Sequence, residues 1–176
     1  MAKRQKLSFI ELDDLPNEII LKIFTFLDIR EILKCGHLSQ RIQAISNDES
    51  LWLQLNFFEG NVPYGLLEKV LKNGCRYLSL AFASLYDGGE FKTHLNLKYL
   101  DISQHSGNEL NEPGTLEVTQ GLLKNCRSLQ KLAMQNLVLE SEDINHIGKN
   151  GQTLKVLDLA GVRFRRFDPN PTKLSH

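Results

Sequence analysis

The chain has 176 residues, 41% hydrophobic and 24% charged, with 21 basic side chains balanced by 21 acidic ones and a pI near 7.0. Zero formal charge supplies no long-range field for a phosphate backbone or an anionic membrane, and no apolar run approaches the roughly 18 residues of a membrane span. Five Pro and 12 Gly are too few for a collagen-like or disordered chain. Cys35, Cys75 and Cys126 form neither an even framework nor a CxxC pair, which fits a reduced compartment, nucleus or cytoplasm, better than secretion.

In chain order, residues 1–9 read as a basic tail with no signal-peptide core behind it. Over residues 15–27, Ile19, Ile20, Ile23, Phe24 and Leu27 follow the i, i+1, i+4, i+5, i+8 steps of one broad helical face. Pro16 suits the first turn of that helix, and Glu18 favours its positive end. The spacing predicts a second helix over 30–35, stopped by Gly36, and a third over 38–45 with Leu38, Ile42 and Ile45 on one face. A three-helix module of this size leaves apolar surface for a partner.

Beyond residue 55 the pattern changes to a repeat. Cys126, Leu129, Leu132 and Met134 recur as Gly151, Leu154, Leu157 and Leu159, 25 residues later. His94, Leu97, Leu100 and Ile102 fit the same frame 32 residues before Cys126, and the extra residues fall in 106–114. A fainter copy starts at Cys75, with Leu78, Ala81 and Ala83 in the apolar slots. Each copy carries a short alternating segment (residues 100–102, 132–134 and 157–159) that predicts a strand. Amphipathic stretches over 62–72, 116–124 and 142–149 predict the intervening helices, the last with Ser141 as its N-cap. Strand plus helix every 20–29 residues, with LxxLxL at the strand, is the leucine-rich-repeat pattern.

The residues of the N-terminal module then carry a resemblance. Leu12-Asp13-Asp14-Leu15-Pro16-Asn17-Glu18-Ile19, the continuation through Leu38-Ser39-Gln40-Arg41-Ile42, and Asp48-Glu49-Ser50-Leu51-Trp52 resemble an F-box over residues 10–55. Ile42 stands where that family often carries an aromatic residue, which keeps the position apolar. With the repeats, the chain resembles the F-box/leucine-rich-repeat proteins, and among them the S-phase kinase-associated substrate receptors. The fold this implies is α/β: a three-helix F-box at 10–55, leucine-rich repeats at 56–162 with parallel strands inside and helices outside, and an irregular tail at 163–176. The function it implies is a non-catalytic substrate receptor of an SCF-type ubiquitin ligase, which directs targets to the proteasome. The partners would be the SCF adaptor, the cullin behind it and a protein substrate; no cofactor, membrane or nucleic acid is expected.

Leu15, Pro16, Ile19, Ile20, Ile23 and Leu27 are the adaptor-facing candidates, carried over from the resemblance and supported by the helical spacing. Each of them competes with a place in the module's own core. Strand positions between the leucines point away from the core: Tyr99, Asp101 and Ser103; Lys131, Ala133 and Gln135; Val156, Asp158 and Ala160. Of these, Tyr99, Asp101, Lys131, Gln135 and Asp158 are the substrate-binding candidates, against the alternative of a merely solvated face. No GxGxxG, P-loop, HExxH or clustered Cys/His spacing occurs. His37, His94, His105, His146 and His176 read as surface histidines, and the cysteines as packing residues. Arg163, Arg165 and Arg166, interleaved with Phe164 and Phe167, form the one local basic cluster, too small to argue for nucleic acid. Phe164 and Phe167 could fold back as a lid on the last strand. A scaffold or decoy that binds the adaptor without presenting a substrate is the competing reading.

Overall fold

A 3-10 turn, Leu12–Asp14, leads into α1, Asn17–Phe24, with Pro16 at its N-cap. The structure, a computed structural model, describes residues 11–105 and 113–165, and its chain divides into two compact units after Trp52. Helix α1 stops at Phe24, short of the expected Leu27, because Asp28 starts the next helix. The Asp28 carboxylate accepts from the backbone N–H groups of Arg30 and Glu31, and Glu31 accepts from Asp28 N in return. That reciprocal cap opens α2, Ile29–Cys35. Ser39 caps α3, Gln40–Ser46, by accepting from Ile42 N at 3.2 Å. Leu38 therefore lies outside the helix and is 66% exposed, while Ile42 and Ile45 are buried as expected. A fourth helix, α4, Glu49–Trp52, was not anticipated. It carries the chain's single Trp into the core, where Trp52 Nε1 donates to Ser46 O at 2.8 Å.

The second unit is built on five parallel strands: β1 Gln54–Asn56, β3 Tyr77–Ser79, β5 Tyr99–Asp101, β6 Lys131–Ala133 and β8 Val156–Asp158, in that spatial order. The registers align Leu55, Leu78, Leu100, Leu132 and Leu157 in one row. The three expected strands are present, each starting one residue early. The copy at Cys75 is in fact a strong one, read three residues out of frame. Leu78 and Leu80 hold the slots of Leu132 and Met134, and both are buried. The strand at Leu55 was missed altogether.

Two further parallel pairs form separate two-stranded sheets, β2 Asn61–Pro63 with β4 Ser84–Tyr86, and β7 Val138–Leu139 with β9 Arg163–Phe164. The expected irregular tail thus begins with a paired strand, and Phe164 is 59% exposed rather than folded back. Helices α5 Tyr64–Lys72, α6 Pro113–Asn125 and α7 Ser141–Gly148 lie close to the expected ranges. The N-cap of α7 is Glu140, not Ser141, and it exchanges hydrogen bonds with Asp143 in a capping box. Of the expected insertion at 106–114, residues 113 and 114 belong to α6; residues 106–112, the basic tail, Arg166, Phe167 and His176 lie outside the described residues.

The chain re-enters the left-handed region at Glu59, Phe82, Asn136 and Gly161, each four residues past the row leucine. At Gly161 a side chain is excluded: an added Cβ would sit 2.2 Å from Asn136 Oδ1. Asn136 in turn donates to Gln104 O at 2.9 Å, so the turns lock one another along the sheet.

Candidate functional site

In the first unit the broad apolar face of α1 separates into two stripes. Ile20 and Phe24 are 0% and 1% exposed and form the module's core. One position back, Ile19 at 48% and Ile23 at 38% stay in solvent, as does Phe26 at 77% just past the helix end, with Lys22 Nζ 5.2 Å from the Phe26 ring centre. Of the adaptor-facing candidates, Ile20 is thus removed from any surface, because the i, i+4 stripe it shares with Phe24 is the one the module buries. Pro16, Ile19 and Ile23 are exposed, and Leu15 and Leu27 are half-buried at the edges.

The segment ahead of α1 is held by Arg41. Its guanidinium donates to Asp13 O, to Leu15 O at 2.6 Å, and twice to Asn17 Oδ1, from Nε at 2.9 Å and Nη2 at 2.6 Å. Ser39 Oγ, 3.1 Å from Asp13 Oδ1, ties the same segment to the start of α3. A fork of donors satisfying three separate acceptors fixes the backbone path that presents Leu15 and Pro16. In the sequence Arg41 is only one position of a pattern; its role depends on carbonyls that become neighbours in the fold.

In the second unit two rows alternate on the outer face of the sheet. One contains Gln54, Tyr77, Tyr99, Lys131 and Val156; the other contains Asn56, Ser79, Asp101, Ala133 and Asp158. The second row makes the turns. Asn56 Oδ1 accepts from Phe58 N at 3.0 Å, Asp101 Oδ1 from Ser103 N at 3.0 Å, and Asp158 Oδ1 from Ala160 N at 3.0 Å. Ser79 Oγ lies 3.5 Å from Ala81 N. Ala133 has no acceptor to offer, and there Ser103 Oγ reaches across from the neighbouring strand to accept from Gln135 N at 3.1 Å. That duty explains why Ser103, expected on the solvent face, is only 4% exposed.

The remaining carboxylate oxygens are also engaged. Tyr99 Oη donates to Asp101 Oδ2 at 3.3 Å, and Gln135 Nε2 to Asp158 Oδ2 at 2.6 Å. The Gln135 and Ala160 hydrogen bonds hold the Asp158 carboxyl below its ordinary value. Burial, with the Asp101 charge behind it, pushes the Tyr99 hydroxyl up. Lys131 and Tyr77 are exposed on the first row. Two phenylalanines that the sequence did not single out lie beyond the strand ends with His105: Phe82 meets Phe58 edge-on at 5.3 Å and stacks on His105 at 4.2 Å.

The two buried thiols, Cys75 and Cys126, offer no reactive group. Burial pushes Cys75 up to about 11 and Cys126 up to about 12, far from the thiolate a nucleophile needs. Among the described residues no three His, Cys, Asp or Glu side chains are placed to hold a metal ion. His37, His94 and His105 are exposed; His146 departs from expectation and is 6% exposed. Arg165 pairs with Glu140 at 2.8 Å, which ties β9 to the start of α7 rather than offering a basic patch.

Residues 12–57 match the F-box-like family model. The N-terminal module is an F-box-like domain. The chain is 37% identical over 51 residues to the F-box protein dre-1 of Caenorhabditis elegans, covering 28% of this chain and 5% of that one. It is 29% identical over 96 residues to rat F-box only protein 3, covering 53% and 19%, and 39% identical over 49 residues to human F-box/WD repeat-containing protein 8, covering 28% and 8%. The chain spans less than a fifth of the length of each of these relatives. The exposed stripe on α1 belongs to the F-box-like domain; the five-stranded sheet lies almost wholly beyond the matched residues.

Proposed function

We propose that the chain is a substrate-recognition subunit of an SCF-type ubiquitin ligase. The observation that carries this reading is an F-box-like match at 12–57 whose first helix leaves Ile19 and Ile23 in solvent while burying Ile20 and Phe24. An apolar stripe on so small a module is a docking surface, and a few anchors dominate such interfaces. The SCF adaptor would cover Pro16, Ile19 and Ile23, with Leu15 and Leu27 at the rim and the cullin reached through it. The second unit reads as a leucine-rich-repeat array, on the strength of parallel strands with a leucine in the same slot of each. Its outer strand face would hold the target protein, with Tyr99, Lys131 and Gln135 as contacts. Sequence likeness through Trp52 and the repeats favours the S-phase kinase-associated receptors as the subfamily. Such a subunit contributes no catalytic residue, and it would work in the nucleus or cytoplasm.

The test is direct binding of purified adaptor to the full chain and to the Ile19→Asp/Ile23→Asp variant. Both side chains are exposed, so the variant folds; circular dichroism checks that. Loss of at least tenfold in affinity is expected for anchors of this kind. Adaptor binding that is absent in the parent chain, or unchanged in the variant, overturns the reading.

A further inference from the structure

The parallel strands of the large sheet all start at one end, and the residues just before them form a row. Lys98 N donates to Arg76 O at 2.8 Å, Gln130 N to Lys98 O at 2.7 Å, and Lys155 N to Gln130 O at 2.8 Å. Arg76, Lys98, Lys131 and Lys155 therefore gather along one rim, on four neighbouring strands. The segments that lead into β3, β5, β6 and β8, residues 72–77, 94–99, 124–131 and 149–156, contain no Asp or Glu. Acidic side chains stand at the other end: Asp101 and Asp158 close β5 and β8, and Glu59 lies in the turn after β1. A chain of zero net charge is thus polarised along its strands.

Helix ends favour cations, which accounts for Lys72, Lys124 and Lys149 at the ends of α5, α6 and α7. Lys72 and Lys124 also have partners, Glu68 at 3.1 Å and Glu90 at 3.8 Å. Lys98, Lys131 and Lys155 stand at strand starts, well past those helix ends, and form no ion pair among the described residues. Like charges on adjacent strands are destabilising, so folding supplies no reason to gather them.

We propose that this rim binds an acidic segment of a partner protein, a short extended stretch rich in carboxylates. From the strand after Arg76 to the strand after Lys155 is three strand spacings, about 15 Å, which about five extended residues cross. Tyr77, 40% exposed, and Val156, 49% exposed, adjoin the rim and offer apolar contact to residues between the acids. A nucleic acid fits less well. Asp101 and Asp158 lie two residues beyond Tyr99 and Val156, about 7 Å along the same face, and repel a polyanion wider than one peptide chain. The inference rests on one part of the proposed function, the outer strand face as the target-holding surface, and uses none of the adaptor-docking residues.

The experiment is an amide-resolved NMR titration of the full chain with capped hexaglutamate, capped hexaglutamine and hexauridylate. Saturable shifts at Lys98, Lys131 and Lys155 with hexaglutamate are expected, with binding that weakens from about 50 to 200 mM salt. Hexaglutamine should bind at least tenfold more weakly. Lys131→Glu/Lys155→Glu should weaken hexaglutamate at least tenfold, while Lys34→Glu/Lys92→Glu, the same charge change at exposed sites off the rim, alters it less than twofold. Unperturbed shifts away from the substitutions show that each variant is folded. No saturable binding, equal binding of hexaglutamine, equal losses in the two variants, or preference for hexauridylate overturns the proposal. Adaptor binding retained beside any of those results leaves the docking reading standing; rim binding retained without adaptor binding refutes the docking reading alone.

Discussion

Asn150 is the sharpest test of how one strand-and-helix unit is fastened to the next. It is 1% exposed. Its Oδ1 accepts the Leu129 N–H at 3.1 Å, and its Nδ2 donates to Cys126 O at 3.2 Å and His146 O at 3.4 Å. Three residues on, Thr153 Oγ1 donates to Leu129 O at 2.8 Å. Side chains of one unit thus satisfy both backbone groups of Leu129 in the preceding one. Asn150→Leu keeps the branched shape, with two methyl groups in place of the amide oxygen and nitrogen, and removes the polar end. Cys126 O retains a donor in Arg127, but the Leu129 N–H is left buried and unpaired. An orphaned buried donor costs about 1–3 kcal/mol, and the lost Nδ2 bonds add about 1 kcal/mol, so the expected loss is roughly 2–4 kcal/mol. For a chain of this length that lowers Tm by roughly 4–16 °C, at 2–4 °C per kcal/mol. Urea unfolding of the full chain measures the loss, and hydrogen exchange at the Leu129 amide shows whether it arises there. A change below about 0.5 kcal/mol, with Leu129 still protected, would refute the argument.

Two further outcomes follow from buried polar groups. Trp52→Phe keeps an aromatic ring but strands Ser46 O and leaves space, so it should cost about 1–3 kcal/mol, measured by thermal unfolding followed by circular dichroism; an unchanged Tm contradicts the packing described. For His146, burial first and the Lys149 charge second hold the imidazole below its ordinary 6.5, against the opposing pull of Glu142 and Asp143. The unfolded chain therefore takes up this proton first, and stability falls as pH drops from 6.5 toward the lower folded value. Unfolding measured from pH 7.5 to 5 should show that decline in the parent and a flatter profile in His146→Gln; parallel profiles would remove His146 as its source. The raised Asp143 carboxyl acts with the opposite sign in a window beginning at 3.8, and the His146 charge acts on it too, so the histidine is read from the upper part of the pH range, next to 6.5.

Helical spacing revealed α1, and alternation revealed three of the five row leucines, because both patterns record one residue's neighbours along the chain. What stayed hidden depends on neighbours across the fold. Ile19 and Ile20 are the same residue type one position apart, and only the packing of the module determines that Ile20 is buried. Leu78 was assigned to the wrong slot because Leu78, Leu80 and the small apolar pair Ala81 and Ala83 admit two frames three residues apart. Pairing with Leu100 selects one of them. Leu55 escaped notice because it follows the helical module directly, with no turn residue to announce a strand. Glu140 displaced Ser141 as a cap because Asp143 stands at the third helical position to reciprocate.

Turn-making positions and solvent-facing positions alternate within each strand. Asp101 and Asp158 looked like charges available for selectivity, yet each carboxylate uses one oxygen to close its own turn and the other to accept from Tyr99 or Gln135. A target that paired with either aspartate would have to compete with those bonds. The companion row closes no turn, although the Tyr99 hydroxyl is held by Asp101: Tyr77 and Tyr99 stand side by side in register, followed by Lys131 and Val156. Tyrosines contribute large contact area at low conformational cost, and an exposed Lys supplies charge without a buried partner to displace. The row that the turns leave free is therefore the better candidate for holding a partner, even though the aspartates carry the more conspicuous chemistry in the sequence.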